Sequence, residues 1–383
     1  TKVLNYFDCM RIGIDCRMSD PSALPHDGFL SNILTHLGRD GGDDEYVLFF
    51  HEPQFSQVSL PDNGFQKVLV RPGVGSLSAQ ISFAWSLYKA KLDCVYFPHF
   101  HVPFLYIRPY IITVSDLRDL FYPDKNTAKG LGRYMYRFLL THAVRYAKRI
   151  IVWSQYTARD IVETFNISET KIVVITPSIG GGRKENIQEE TKRYLTKQGI
   201  EKPYILFVGD IREYKNLPRC IRAYSEIVAE GVDIDFVIIG RELPTYHEVR
   251  NTIIELSLQS RVHVLGHIAP EKLPFFYEGA KVYILPSIYE GSGFPLLSAI
   301  EYDLPIICSN IPSLSEVVDE TRATFFRPLS AENIRESLSQ ILSDMTLSDR
   351  LKGKGSQKSA KGVWDPIEKI IQTCQKTPKG KGK

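Results

Sequence analysis

The chain has 383 residues, 43% hydrophobic and 24% charged, and a net charge of +3. That composition excludes a disordered chain, a collagen and a disulfide-stapled miniprotein, and at ~150 residues per domain the length fits two to three cores. The apolar runs fall short of the ~18 residues of a membrane span, and no signal peptide is read at the start. Six cysteines without a CxxC pair point to reduced thiols, hence a cytoplasmic setting, and away from zinc. Residues 352–383 hold nine lysines against Asp365 and Glu368, so the rest of the chain is slightly acidic. The positive balance belongs to the tail, which argues against a nucleic-acid partner.

Short β-branched runs alternate with helical patterns. Strands are predicted at residues 11–15, 46–50, 67–70, 94–97, 111–114 and 149–153. A second series falls at 204–208, 236–239, 262–265, 282–285 and 306–308. Runs of four to six apolar residues without alternation suit strands buried on both faces, and the intervening helices imply right-handed βαβ units with parallel sheets. The Gly180-Gly181-Gly182 run and the charged stretch after it divide the series. The expected organisation is a Rossmann-like domain over 1–180, a linker with a helix over 181–202 and a second Rossmann-like domain over 203–360. A helix over 361–376 and a disordered basic tail over 377–383 close the chain.

Two loops carry chemistry. A strand ends at Gly209 and leads through Asp210, Arg212 and Lys215 to Asn216, a residue suited to cap a helix. Arg212 and Lys215 would then stand at the C-terminal edge of the sheet, where open α/β sheets bind ligands. The second loop runs Pro286-Ser287-Ile288-Tyr289-Glu290-Gly291-Ser292-Gly293-Phe294-Pro295 from a buried strand into a helix over 294–301. Glycines let an anion approach the backbone, and the N–H groups of Gly293 to Leu296 at the positive helix end would face it. A nicotinamide fingerprint does not fit, because Leu296 stands where the third glycine belongs.

Together these motifs resemble the GT4 family of retaining glycosyltransferases. Residues 11–18, 96–103, 113–117, 151–160 and 262–266 resemble other family segments. The resemblance implies an α/β GT-B fold: two Rossmann-like domains whose parallel sheets face across a cleft. It implies a hexosyltransferase of polysaccharide biosynthesis, moving a sugar from a UDP- or GDP-linked donor to a hydroxyl of a glycan or lipid-linked acceptor. No cofactor and no bound metal are implied. Carried over by position, Glu290 and Asp116 are catalytic. Gly209, Arg212, Lys215, Ser292, Gly293, Phe294 and Ser298 bind the donor. Asp27, Gly28, Ser115 and His101 lie on the acceptor side. The chain departs from the family at Ser298 for a ribose-binding Glu, Ser115 for a His, Asp210 for an Arg, and the 25–29 loop with one glycine. These departures motivate the alternative of a catalytically silent partner subunit of the same fold; a sugar-nucleotide epimerase fits the 290–295 motif less well.

Three further features have two readings each. Asp233-Ile234-Asp235 matches a metal-chelating motif but precedes a strand, and so reads as solvated. His99 and His101 lack a third zinc ligand. Residues 129–149 show an apolar stripe (Leu131, Tyr134, Met135, Phe138, Leu139, Ala143, Tyr146, Ala147) beside basic residues. That stripe could pack a helix on the first sheet, or its basic flank could bring the protein to the inner face of a membrane.

Overall fold

The computed structural model describes residues 10–17, 44–60, 64–71, 77–123, 131–175, 187–242, 247–343, 351 and 373. The chain divides into two compact units. One comprises Thr1–Leu117, Thr127–Thr176 and Lys361–Lys383; the other comprises Arg118–Asn126 and Pro177–Ala360. Residues 118–126 thus cluster with the second unit, although the sequence places them inside the first domain. Within the region 181–202 the helix Gln188–Lys197 packs on the helix Leu273–Gly279 of the second unit. The expected helix and tail over 361–383 lie outside the described residues, Thr373 excepted.

The first unit holds β1 (Arg11–Asp15), β2 (Glu45–Phe50), β3 (Phe65–Leu69), β4 (Cys94–Phe97), β5 (Tyr110–Thr113), β6 (Arg149–Val152) and β7 (Ile172–Val174). They form one parallel sheet in the order β3-β2-β1-β4-β5-β6-β7. The second unit holds β8 (Tyr204–Val208), β9 (Asp235–Ile239), β10 (Val262–Gly266), β11 (Val282–Leu285), β12 (Ile306–Ser309) and β13 (Ala323–Phe326). Its parallel order is β10-β9-β8-β11-β12-β13. Helices separate the strands, as β-branched runs buried on both faces require. β4, β5, β9, β11 and β12 are buried at every residue, whereas the edge strands β3, β7, β10 and β13 are only partly so. Two of those edge strands, β7 and β13, are absent from the sequence reading.

In each sheet the strand order reverses at one point, between β1 and β4 in the first and between β8 and β11 in the second. There the crossovers leave for opposite faces and open a crevice beyond the carboxyl ends of the strands. Asp15 and His99 lie at the first reversal; Gly209 and Glu290 lie at the second.

The helix Leu131–Tyr146 buries Leu140, Ala143 and Val144, with Ala147 just beyond it, and exposes Tyr134, Met135, Phe138 and Tyr146. The stripe expected to pack is therefore divided between core and solvent. The next helix, Gln155–Phe165, is capped by Ser154, whose Oγ accepts from Thr157 N–H at 3.0 Å, an arrangement worth about 1 kcal/mol. All four described cysteines, Cys16, Cys94, Cys220 and Cys308, are buried free thiols. Among the described residues no helix is long and apolar enough to cross a membrane.

Close backbone packing sets the edge of the second sheet. Gly209 N–H donates to Ile239 O at 2.9 Å and Gly240 N–H to Gly266 O at 2.8 Å. A Cβ on Gly240 would stand 1.8 Å from the Gly209 carbonyl oxygen. Gly240→Ala must push the two loops apart, and it is expected to destabilise the second unit by about 3 kcal/mol, read as a lower midpoint in urea or heat. An unchanged midpoint would mean that this approach sets nothing.

Candidate functional site

The site of the second unit is assembled from loops that follow β8 and β11. Past β8 the chain makes a 3-10 turn over Glu213–Lys215 and enters the helix Leu217–Ala229. Past β11 it runs through Ser287 and Glu290 to Gly293, which precedes the helix Phe294–Glu301. Gly293 has φ +62°, a left-handed conformation, and a Cβ there would press on Leu314 and Val317 at 3.0 and 3.1 Å. Glycine at this position answers both constraints.

The two loops meet in a buried ion pair. Lys215 Nζ donates to Glu290 Oε1 at 2.5 Å, and Ser287 Oγ donates to the same oxygen at 2.5 Å. Lys215 is 5% and Glu290 9% exposed, so little water screens the pair. Ser287 is fully buried and was not anticipated; its only sequence signal is its place three residues before Glu290. Gly209 stands beneath this pair, where a Cβ would meet Lys215 Cε and Nζ at 3.7 Å.

Asn216 does not cap the helix as expected. It is buried with φ +58°, and its side chain makes no capping bond. Its Nδ2 donates to Pro286 O at 3.1 Å and to Pro328 O at 2.7 Å, and its Oδ1 accepts from Arg219 at 2.5 Å. One amide thus fastens the loops after β8, β11 and β13, with Ile288 N–H to Tyr214 O at 2.8 Å as a further tie. Capping geometry needs a side chain turned to its own helix, and two carbonyls from other loops outcompete that arrangement here.

The amides at the helix start also need correction. Leu296 N–H is closed onto Gly293 O at 2.9 Å, and Pro295 has no N–H, so these two drop out of the expected row. Ser292 and Gly293 are buried and Phe294 is 45% exposed. Ser298 lies one helical turn further on, half-buried, and shares a hydrogen bond with Tyr277. Tyr277 stacks between Tyr283 and Tyr302, and burial raises its hydroxyl well above the usual tyrosine range. Burial also raises the Glu301 carboxyl. The serine is therefore engaged with the core tyrosines. Arg212 Nη1 stands 4.0 Å from Asp119 Oδ1, while Arg118 Nη1 donates to Tyr214 OH at 3.2 Å. Tyr122 lies against Tyr214 and Tyr289, and Phe121 against Tyr289. These contacts of residues 118–122 in the second unit were not legible in the sequence.

In the first unit a second polar cluster occupies the reversal of the sheet. Asp15 ends β1 with no exposed surface, and Arg17 grips both its oxygens, Nε and Nη2 each at 2.8 Å. The guanidinium carbon sits 3.4 Å from the Phe83 ring centroid. Burial alone would push the Asp15 carboxyl up; Arg17 and then His99 outweigh it and hold it far below the usual carboxylate range. His99 Nε2 is 3.3 Å from Asp15 Oδ2, and His99 Nδ1 accepts from His101 N–H at 3.1 Å. Since Nδ1 is an acceptor, the His99 proton sits on Nε2, facing Asp15. His101 stacks on Phe100, and its buried Nδ1 has no hydrogen-bond partner among the described residues. Ser115 is exposed and Asp116 half-buried in the loop after β5. Asp27 and Gly28 lie outside the described residues.

The Asp233–Asp235 segment is occupied by ion pairs at the amino end of β9. Asp233 accepts from Lys202 at 2.8 Å and from Arg261 at 2.6 Å, and Asp235 faces His263 at 2.9 Å. Among the described residues no group of three His, Cys, Asp or Glu has the geometry to hold a metal.

Residues 188–358 match the model of the family Glycosyl transferases group 1. The chain is 26% identical over 288 residues to O-antigen chain mannosyltransferase B of Escherichia coli, covering 74% of each protein. It is 30% identical over 229 residues to O-antigen chain mannosyltransferase RfbU of Salmonella typhimurium, covering 60% of this chain and 58% of that one. Among solved structures it resembles Anabaena Alr3699/HepE, crystallised with UDP and glucose, with a TM-score of 0.73 at 14% identity over 95% of this chain and 99% of that one. That likeness extends to the GT-B fold.

Burial, with His99 nearby, pushes His101 down to about 4, below the ordinary 6.5. Between those values the unfolded chain binds the proton and the folded chain does not, so stability falls as pH drops from 6.5 towards 4. His101→Gln is expected to flatten that part of the urea-midpoint profile, at most ~3 kcal/mol between pH 7 and 4. An identical profile in parent and variant would place His101 in contact with water.

Proposed function

From a chain whose second unit is a group 1 glycosyltransferase domain, we propose a retaining, metal-independent transfer of a hexose, mannose in the first instance, from a UDP- or GDP-linked donor. The acceptor is a hydroxyl of a glycan or lipid-linked saccharide in polysaccharide assembly in the cytoplasm. The observation that carries the reading is the buried Lys215–Glu290 pair at the strand reversal of the second sheet. Two curated relatives are named as mannosyltransferases, which supports the choice of sugar.

In this reading the donor diphosphate lies at Lys215, Arg212 and the Gly293 and Phe294 amides. A lysine ammonium and a helix N-terminus supply positive charge where the C1–O bond to the diphosphate breaks, and so stabilise the leaving group without a metal. The acceptor oxygen bonds to C1 on the face the diphosphate leaves, and the hydroxyl proton departs to a phosphate oxygen. Glu290, held by Ser287, accepts hydrogen bonds from the sugar hydroxyls. Gly209 gives the donor room, and Ser292 with Ser298 completes the donor pocket. On the acceptor side, His101 Nδ1 is a neutral acceptor for a sugar hydroxyl, and Asp116 with Ser115 steers the nucleophilic oxygen.

Lys215→Met is expected to weaken UDP or GDP binding 10- to 100-fold by calorimetry, the worth of a charge-assisted contact of about 1.5–3 kcal/mol. Because the substitution leaves Glu290 buried without its counter-ion, the double variant Lys215→Met/Glu290→Gln keeps the comparison sound. It should fold like the parent and bind as weakly as the single variant. Glu290→Gln alone should retain nucleotide and lose transfer. Parental nucleotide affinity in the folded double variant would remove the pair from the donor site.

A further inference from the structure

Beyond β5 the chain passes Ser115 and Asp116 and makes the short helix Arg118–Phe121, which clusters with the second unit. Phe121 and Tyr122 keep 44% and 38% of their surface exposed there. Neither stands alone. Phe121 meets the Tyr289 ring edge to face at 5.7 Å between centroids, and Tyr122 lies 5.8 Å from Tyr289 and 6.5 Å from Tyr214. Tyr214 and Tyr289 are buried, and each immediately precedes a member of the central ion pair, Lys215 and Glu290. Arg118 Nη1 donates to the Tyr214 hydroxyl at 3.2 Å and ties the segment to this floor. Exposed rings grouped in this way mark a binding surface, because scattered single apolar residues are the ordinary case. Rings already packed on a floor also lose little freedom when a ligand engages them.

Charged groups flank the rings. Asp119 Oδ1 stands 4.0 Å from Arg212 Nη1 and 4.0 Å from Arg118 Nε, too far for a direct hydrogen bond. Arg212 Nε is buried and has no hydrogen-bond partner among the described residues. A hydroxyl both donates and accepts, so a single oxygen can take a guanidinium proton and give its own to the carboxylate across such a gap. The ligand that suits this surface carries an apolar face and a rim of hydroxyls at once, which is the chemistry of a pyranose ring. Two half-exposed rings fall far short of the ~800 Å² per partner that a stable protein interface buries.

We propose that Phe121 and Tyr122 form a saccharide subsite. A pyranose lays its C–H face against the exposed side of the two rings, and one of its hydroxyls bridges Asp119 and Arg212. The inference rests on the transfer reading for the role of the bound sugar, which is the terminal unit of the acceptor brought beside Glu290.

The test is saturation-transfer NMR of the full chain with the methyl α-glycosides of mannose, glucose, galactose and rhamnose, with no nucleotide present. The parent should bind at least one of them, and the ring C–H protons of that sugar should be saturated most strongly. Phe121→Leu/Tyr122→Leu keeps apolar bulk against Tyr289 and removes the rings. It should weaken that affinity about tenfold with an unchanged urea midpoint. Asp119→Ala, at an exposed position outside the packing, should weaken it about fivefold. Tyr122→Phe should bind as the parent does. Affinity for UDP and GDP by calorimetry should be equal in the parent and the leucine variant. Absence of parental binding to all four glycosides would overturn the inference, as would parental affinity in either the leucine or the alanine variant. So would a loss of nucleotide affinity in the leucine variant, which places a nucleobase on the rings. The sugar is read without donor or turnover. A chain that binds nucleotide but no glycoside therefore refutes this subsite alone, and a chain that binds a glycoside but no nucleotide refutes the transfer reading alone.

Discussion

The second unit is organised around two opposite charges kept out of water. Moving an ammonium and a carboxylate into a protein interior costs several kcal/mol each, and their attraction offsets this only where geometry is good and the remaining valences are satisfied. Here Ser287 supplies the additional hydrogen bond to Glu290. The backbone beneath the pair must therefore be fixed, and the close approach of Gly209 and Gly240 fixes it from one side. Asn216 fixes it from the other by holding carbonyls of two further loops. Arrangements of this kind are retained where charge is needed at a defined point, since well-packed apolar residues of similar volume would serve stability as well or better.

The first unit solves the same problem differently. At its own strand reversal the buried carboxylate of Asp15 is satisfied locally by Arg17, two residues away, and a histidine on the neighbouring strand's loop completes the shell. That shell orients His99, and His99 in turn receives the backbone of His101. The consequence is a neutral imidazole acceptor in a mostly buried place. Both reversals thus bury an ion pair, and beside the first stands the neutral imidazole of His101.

How much of this could be read from the sequence differs by level. The apolar strands that are buried on both faces announced themselves, because burial on both faces removes polar residues from the run; β4, β8, β11 and the helix Phe294–Glu301 lie where the pattern put them. Strands β7 and β13 escaped because an edge strand pairs on one side and stays partly wet, so three or four residues carry too little pattern. Lys215 and Glu290 were each legible as residue types in a glycine-bearing loop. Their union was not, because nothing in one dimension says which cation a carboxylate 75 residues away will meet. Asn216 shows the converse limit: a residue well suited to capping a helix is used for a tertiary bond that only the fold makes available. Ser298 departs from the family pattern, and its half-buried hydroxyl shares a hydrogen bond with Tyr277, which itself stacks on Tyr302.

The single amide of Asn216 reaches carbonyls in the loops that follow β11 and β13 while its own backbone follows β8. Three loops that would otherwise fluctuate independently thereby become one stiff rim. A ligand arriving at such a rim does not have to order it, so the ~0.5–1.5 kcal/mol per side chain that immobilisation costs has already been met during folding. Recognition of a ligand at this edge should accordingly be fast and nearly rigid, and any adjustment to its shape must come from side chains reaching in from the rim, not from the rim itself changing shape.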